Sequence, residues 1–311
     1  MHTTELFGPV LGVMKAKDLD EAIRFANGTA YGLTSGIHSL DKREINRWTK
    51  HIEAGNCYVN RGITGAIVER QPFGGCKASS FGHGSKAGGP NYLPQFMNKK
   101  EVGISRDKAP LPDTINRLTT VLNQLDLSSE ELGTWFASVA NYTYWSKEYA
   151  KHKDQQKVVG QDNYLLYKTR TRLAVRIQST DRPIDIFRVM AAALSVKAHL
   201  EVSFDPANSP VEISGELQQI LHNSTFTIES EESFLSRLEA GTFDRVRFAS
   251  QPPKAVFEAA AKSATYCNTD PVLSSGRLEL THYLREVALS ANYHRYGNLG
   301  TREGELRAKI R

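Results

Sequence analysis

Short apolar segments alternate with amphipathic segments of helical length along this chain, and that alternation restricts its fold more than any other feature. Residues 9–14 (Pro-Val-Leu-Gly-Val-Met) read as a strand. Residues 19–27 read as a helix with Ala22, Ile23 and Ala26 on one face and Asp18 as its N-cap. A second strand covers 32–38. Asp41 then opens a helix to Glu53, with Ile45, Trp48 and Ile52 at helical spacing, and residues 57–60 form a third strand. Strands separated by helices imply crossover connections, a mainly parallel sheet and an α/β class. From about residue 163 a second α/β pattern begins. Its expected strands are 173–177, 199–204 and 245–248. Its expected helices run from Pro183 through Leu194, then over 233–240, 255–264 and 276–285.

Two stretches break the alternation. Residues 62–90 hold eight glycines and no clear periodicity. A loop of this length is uncommon unless functional or disordered, and its spaced Ile63, Ile67, Val68, Phe73 and Phe81 argue for a binding loop. Residues 98–114 read as a linker. The following stretch, 115–152, is helical and rich in aromatics (Trp135, Phe136, Tyr142, Tyr144, Trp145, Tyr149), as expected of a helical connector packing its stripe on a core.

The charge balance narrows the partners. The chain of 311 residues carries a formal net charge of +5, with 15 Lys+Arg against 10 Asp+Glu in residues 1–110 and an even balance beyond. No basic run exceeds two residues and no nucleic-acid motif occurs, so a mild field toward an anionic ligand is the better reading than nucleic-acid binding. No run of about 18 apolar residues exists, so no membrane span is expected. Three cysteines without C-x-x-C spacing argue against disulfides or zinc, which places the chain in the cytoplasm. Nine histidines show no H-x-x-x-H spacing, and no metal site is expected. Gly82-His-Gly-Ser-Lys-Ala87 matches G-x-G-x-x-A in form. It follows no strand, and Gly88-Gly89-Pro90 breaks any helix it would open, so it is no dinucleotide fingerprint. Cys57 reads as a buried thiol within an apolar strand, while Cys76 sits in the glycine-rich loop with no nearby group to activate it.

Glu5-Leu-Phe7-Gly8-Pro9-Val10 carries more chemistry. A carboxylate can accept two ribose hydroxyls, and an aromatic face can pack on a flat ring. An ordinary strand entry explains the same residues equally well. In order along the chain follow Tyr31-Gly-Leu-Thr-Ser-Gly36, Gly55-Asn-Cys-Tyr-Val-Asn-Arg61 and Gln71-Pro-Phe73-Gly-Gly75. These four motifs resemble the C-terminal part of aldehyde dehydrogenases over roughly residues 3–97. Thr64-Gly65-Ala66-Ile67-Val68 and Lys86-Ala-Gly-Gly-Pro-Asn-Tyr92 resemble the glutamate-semialdehyde (1-pyrroline-5-carboxylate) dehydrogenase branch, and in particular the dehydrogenase half of actinobacterial proline utilization A proteins. Residues 161–311, including Gly276-Arg-Leu-Glu-Leu and the tail from His294 to Asn298, are similar to the C-terminal domain of the longer members of that group.

The resemblance implies an organisation. Residues 1–97 would be the C-terminal portion of an aldehyde dehydrogenase catalytic domain, 98–160 a linker and helical connector, and 161–311 a second, non-catalytic aldehyde-dehydrogenase-like α/β domain. It also implies roles. Glu5 would hydrogen-bond the nicotinamide ribose of NAD and Phe7 would pack near the nicotinamide. Thr64, Gly65 and Ala66 would anchor the amino-acid end of glutamate semialdehyde through backbone N–H groups, and Phe73 would wall its aliphatic chain. A homo-oligomer is implied as well.

In the family the nucleophilic cysteine, the oxyanion-stabilising asparagine and most of the NAD-binding domain precede the Glu-x-Phe-Gly-Pro motif. Here four residues precede Glu5, and none of the three cysteines matches the nucleophile. The expectation is therefore the C-terminal part of a larger dehydrogenase of proline catabolism, with an incomplete NAD site and no turnover alone. FAD would belong only to the proline dehydrogenase half, outside this chain. Two other readings remain at this stage: a non-catalytic assembly or regulatory module, and a piece of another aldehyde dehydrogenase branch.

Overall fold

The computed structural model describes residues 3–103, 106–154 and 156–294. Two compact units share the chain. The first comprises the described parts of Met1–Phe96, His152–Leu166 and Glu286–Arg311, and the second those of Met97–Lys151 and Tyr167–Arg285.

The first unit opens with residues 5–16 in no regular element. The strand expected over 9–14 is absent. Val10, Leu11, Val13 and Met14 are all exposed, and no described segment pairs with their backbone. A strand exists only by exchanging hydrogen bonds with a neighbour, so apolar composition alone does not make one. Helix α1 (Leu19–Asn27) starts as expected, with the Asp18 carboxylate accepting from the Glu21 N–H at 2.8 Å. Strands β1 (Tyr31–Gly32) and β2 (Thr34–Ile37) follow, then α2 (Lys42–His51), capped by Asp41, and β3 (Asn56–Val59). A short β4 (Cys76–Lys77) pairs antiparallel with β1, and Leu93–Phe96 forms one 3₁₀ turn.

Next come α3 (Asp113–Leu122) and α4 (Ser129–Tyr149), the latter opened by a capping box between Ser128 and Glu131. The stretch expected as one connector is thus two helices. Both bury large side chains in the second unit, with Ile115, Leu118, Leu122, Trp135, Val139 and Tyr142 in its core. The Trp135 indole N–H donates to Thr119 Oγ1 at 3.1 Å, so this buried ring keeps its polar atom satisfied.

The remaining elements are β5 (Gln161–Thr169), β6 (Leu173–Arg176), α5 (Pro183–Ser195), β7 (Glu201–Phe204), α6 (Gly215–Ile220) and β8 (Thr225–Ile228). They continue with α7 (Glu231–Glu239), β9 (Arg245–Arg247), α8 (Lys254–Ser263), β10 (Tyr266–Asn268), α9 (Gly276–Glu279) and β11 (Leu284–Asn292). In the second unit five strands form a sheet in the order β10-β9-β6-β7-β8, every pair parallel. Side chains alternate across β6: Leu173 and Val175 join the core with α3, α4 and α5, whereas Ala174 joins Phe234, Leu238, Val256 and Ala259 of α7 and α8. Helices thus cover both faces of this sheet, as an all-parallel sheet requires.

The helix expected over 276–285 stops early. Beyond α9 a 3₁₀ turn (Leu280–His282) leads into β11, which pairs parallel with β3. Helix-favouring Leu284, Glu286 and Ala288 thus lie in a strand, because tertiary pairing overrides local propensity. The Glu279 carboxylate accepts from the Arg247 guanidinium, the Tyr283 hydroxyl at 3.0 Å and the Leu273 N–H at 3.2 Å. The tail residues 295–298 lie outside the described residues.

Arg247 and Glu279 have side chains with no solvent exposure. A buried charge left alone costs more than the pair contributes. Glu279→Ala should therefore destabilise the second unit by about 3–5 kcal/mol, read as a lower urea midpoint by circular dichroism. An unchanged midpoint would contradict a fully buried pair.

Candidate functional site

The first unit builds its loop on one face of a sheet with the order β2-β3-β11-β5. Strands β2 and β11 both run parallel to β3, with Gly36 and Ser290 opposite Tyr58. Alternation along β3 sends Cys57 and Val59 into an apolar core with Ile23, Trp48 and Ile52. Asn56 and Tyr58 face the other way, toward residues 60–91. This second face is polar, and the glycine-rich loop covers it.

Side chains, rather than regular pairing, hold the loop. Asn60, at φ 55, clasps Ser39: its Oδ1 accepts from the Ser39 N–H at 2.9 Å and its Nδ2 donates to the Ser39 carbonyl at 2.8 Å. Asn56 does the same across the loop, donating to the Pro72 carbonyl and accepting from the Gly74 N–H, each at 3.1 Å. Gly55 must be glycine here, since a Cβ would sit 1.9 Å from the Gly74 carbonyl oxygen. Phe73 and Ala87 exchange two backbone bonds of 2.9 Å. Glu286 on β11 accepts from the Lys86 N–H at 2.9 Å and from Asn91 Nδ2 at 2.6 Å. The Lys86 ammonium donates to the Gly74 carbonyl.

Thr64, Gly65 and Ala66 lie at the exposed crest of this loop, with Gly65 at φ +80. Among the described residues, none of their N–H groups donates to another protein group. Three such N–H groups on small residues can receive a carboxylate. Phe73 stands at the base of the loop with its ring partly exposed. Glu5 and Phe7 lie on the exposed N-terminal stretch, the Phe7 ring fully open to solvent. No hydrogen bond or ring contact among the described residues joins them to residues 64–66 or Phe73. The structure thus gathers the loop residues into one element and leaves the Glu5–Phe7 pair separate from it.

Sequence reasoning missed the residues that hold the loop. Asn56 and Gln71 stand inside the motifs Gly55–Arg61 and Gln71–Gly75, and for Asn56 a polar side chain beside apolar strand residues was the available signal. Asn163, Glu286 and Ser290 lie far along the chain and carry no local signal.

The cysteines differ in environment. Cys57 is fully buried. Cys76 is half-buried, its thiol 3.5 Å from the Gly32 carbonyl. Burial pushes the Cys267 thiol up to about 11. Only thiolates alkylate, so in the folded chain iodoacetamide should label Cys76 first. The labelling rate of Cys267 should rise about tenfold per pH unit toward pH 11, and Cys57 should react only on unfolding. Mass spectrometry of the labelled peptides checks this order.

Comparison with known proteins supplies the context. Residues 1–102 match the aldehyde dehydrogenase family. A 1-pyrroline-5-carboxylate dehydrogenase of Oceanobacillus iheyensis is 51% identical over 98 residues, which cover 32% of this chain and 19% of that protein. Its Geobacillus counterpart of the same name is 49% identical over 98 residues, with the same coverage of 32% and 19%. The chain therefore spans about a fifth of the length of these curated relatives. The solved structure of Proline Utilization A (PutA) from Corynebacterium freiburgense is 32% identical, with a TM-score of 0.70, over 95% of this chain and 26% of that one. Residues 1–102 are thus similar to the aldehyde dehydrogenase family, and nearly the whole chain is similar in fold and sequence to part of a PutA.

Proposed function

We propose that this chain supplies substrate-anchoring and cofactor-contacting residues to an NAD-dependent oxidation of glutamate semialdehyde to glutamate. The observation that carries the reading is the identity of about half over 98 residues shared with proteins named 1-pyrroline-5-carboxylate dehydrogenase. The fold and the loop geometry support it.

Each residue has a physical task in this reading. The N–H groups of Thr64, Gly65 and Ala66 receive the substrate carboxylate, and left-handed Gly65 keeps side chains out of its way. The partly exposed Phe73 ring packs on the aliphatic chain. The Glu5 carboxylate accepts ribose hydroxyls, and the open Phe7 ring offers a face for the nicotinamide; an exposed acceptor beside an exposed aromatic fits such a cofactor. Bound beside these residues, NAD would supply the hydride acceptor for the oxidation. The nucleophile lies outside the three cysteines: Cys57 is sealed in the core, burial holds the Cys267 thiol protonated, and the Cys76 thiol is turned to the Gly32 carbonyl. The reading extends to a cytoplasmic homo-oligomer in which residues 161–311 are non-catalytic, with FAD held only by a proline dehydrogenase part beyond these residues.

Two measurements test it. The chain alone, mixed with NAD and glutamate semialdehyde, should form no NADH; turnover above background would overturn the assignment of the nucleophile. In the enzyme that joins these residues to the nucleophile, Glu5→Gln should raise the KM for NAD about tenfold, because a hydrogen bond to a charged group contributes roughly 1.5–3 kcal/mol. The aldehyde KM should stay the same. An unchanged KM for NAD would remove Glu5 from the cofactor site.

A further inference from the structure

The five residues 62–66 rise from two feet, Arg61 and the turn that begins at Ile67. Both feet are fastened to one hydroxyl. Arg61 Nη1 donates to Ser290 Oγ at 2.7 Å, and Gln71 Nε2 donates to the same oxygen at 3.2 Å. Ser290 Oγ in turn donates to Asn163 Oδ1 at 2.9 Å. Accepting twice and donating once uses the whole capacity of a hydroxyl. Ser290 is fully buried, so water does not compete for these bonds.

The Gln71 amide carries the restraint on to the second foot. Its Oε1 accepts from the Ile67 N–H at 3.0 Å, and its own backbone N–H donates to the Ile67 carbonyl at 2.9 Å. Its Nε2 also donates to Asn163 Oδ1 at 2.7 Å. Ile67 is therefore fixed through both of its backbone groups by one residue. At the first foot, the Arg61 guanidinium lies 5.3 Å from the centre of the Tyr58 ring, the residue opposite Ser290 in the sheet.

We infer that Ser290 is a positioning residue for the carboxylate anchor: its hydroxyl clamps both feet of the 62–66 loop and so sets where the N–H groups of Thr64, Gly65 and Ala66 stand. This rests on the proposed function only for the identity of what the loop binds. The clamp acts on substrate binding and leaves the cofactor contacts at Glu5 and Phe7 alone.

Ser290→Ala removes the hydroxyl with little change of volume. In the chain itself, amide exchange at Ile67, Arg70 and Gln71 should accelerate at least about tenfold, while amides of α1 and α2 keep their protection. In the enzyme that joins these residues to the nucleophile, the KM for glutamate semialdehyde should rise about tenfold or more, since misplaced binding groups lose that much. The KM for NAD and kcat should stay within about twofold. Arg61→Met frees one foot at a half-exposed position and should shift the aldehyde KM the same way by less; it decides the matter if Ser290→Ala does not fold. Unchanged aldehyde KM in the folded variants, or a KM for NAD rising in step, would overturn the clamp. If the unmodified enzyme does not oxidise glutamate semialdehyde, the proposed function fails, and amide exchange alone decides the clamp: faster exchange confined to residues 67–71 upholds it, unchanged exchange overturns it.

Discussion

The first unit depends on β3 being buried on both faces. All four of its residues are inaccessible, yet the two faces ask for opposite chemistry. Cys57 and Val59 need apolar partners and find them in Ile23, Trp48 and Val287. Asn56 needs hydrogen bonds and finds them in the backbone of the Gln71–Gly74 turn. A buried amide without partners would cost roughly 1–3 kcal/mol, so the loop cannot drift from β3 without exposing that cost. The core and the loop are thus two sides of one strand.

The second unit solves burial differently. Its parallel sheet packs an apolar cluster on each face, and its buried polarity includes a charge pair, Arg247 with Glu279. Arg247 Nη1 also donates to the Phe248 and Asp270 carbonyls, at 2.7 and 2.6 Å. Full charges in a low dielectric tolerate little displacement. The neutral amides and hydroxyl around Gln71 carry a smaller penalty per group and spread it over more partners. A loop proposed to meet a ligand is better served by the second arrangement, since small shifts cost little.

Legibility in the sequence followed locality. Helix α1 could be read to the residue because Asp18, its acidic first turn and its apolar spacing all act within one helix. Pro183 marked the start of α5 for the same reason, and β6 stood out as an apolar run. Residues 9–14 look like a strand by composition, but a strand is a property of a pair, and no described partner meets them. The reverse holds for β11, where helix-favouring residues are drawn into a sheet by β3. The loop showed the same split. Its crest, Thr64 to Ala66, was visible as a motif, whereas the residues that fasten it were not. Ser290 in isolation is one serine in Leu-Ser-Ala-Asn, and only the register of β11 against β3 gives it meaning.

That split has a physical reason. A ligand-binding crest must leave its N–H groups unsatisfied by protein, so it cannot be part of a helix or a ladder. Its order must then come from its ends. Five residues between fixed feet have few conformations to lose, because closure entropy grows with the free length of a loop and here both ends are already tied. The ordering cost is met on folding, by bonds from Arg61 and Gln71 to a buried hydroxyl, and does not fall on ligand binding. Tethers of this kind need side chains that reach the feet from a rigid element beneath them. Here β3 already uses its own polar side chain on the Pro72–Gly74 turn, and the tether comes from β11, one of its two neighbours in the sheet, more than 200 residues further along.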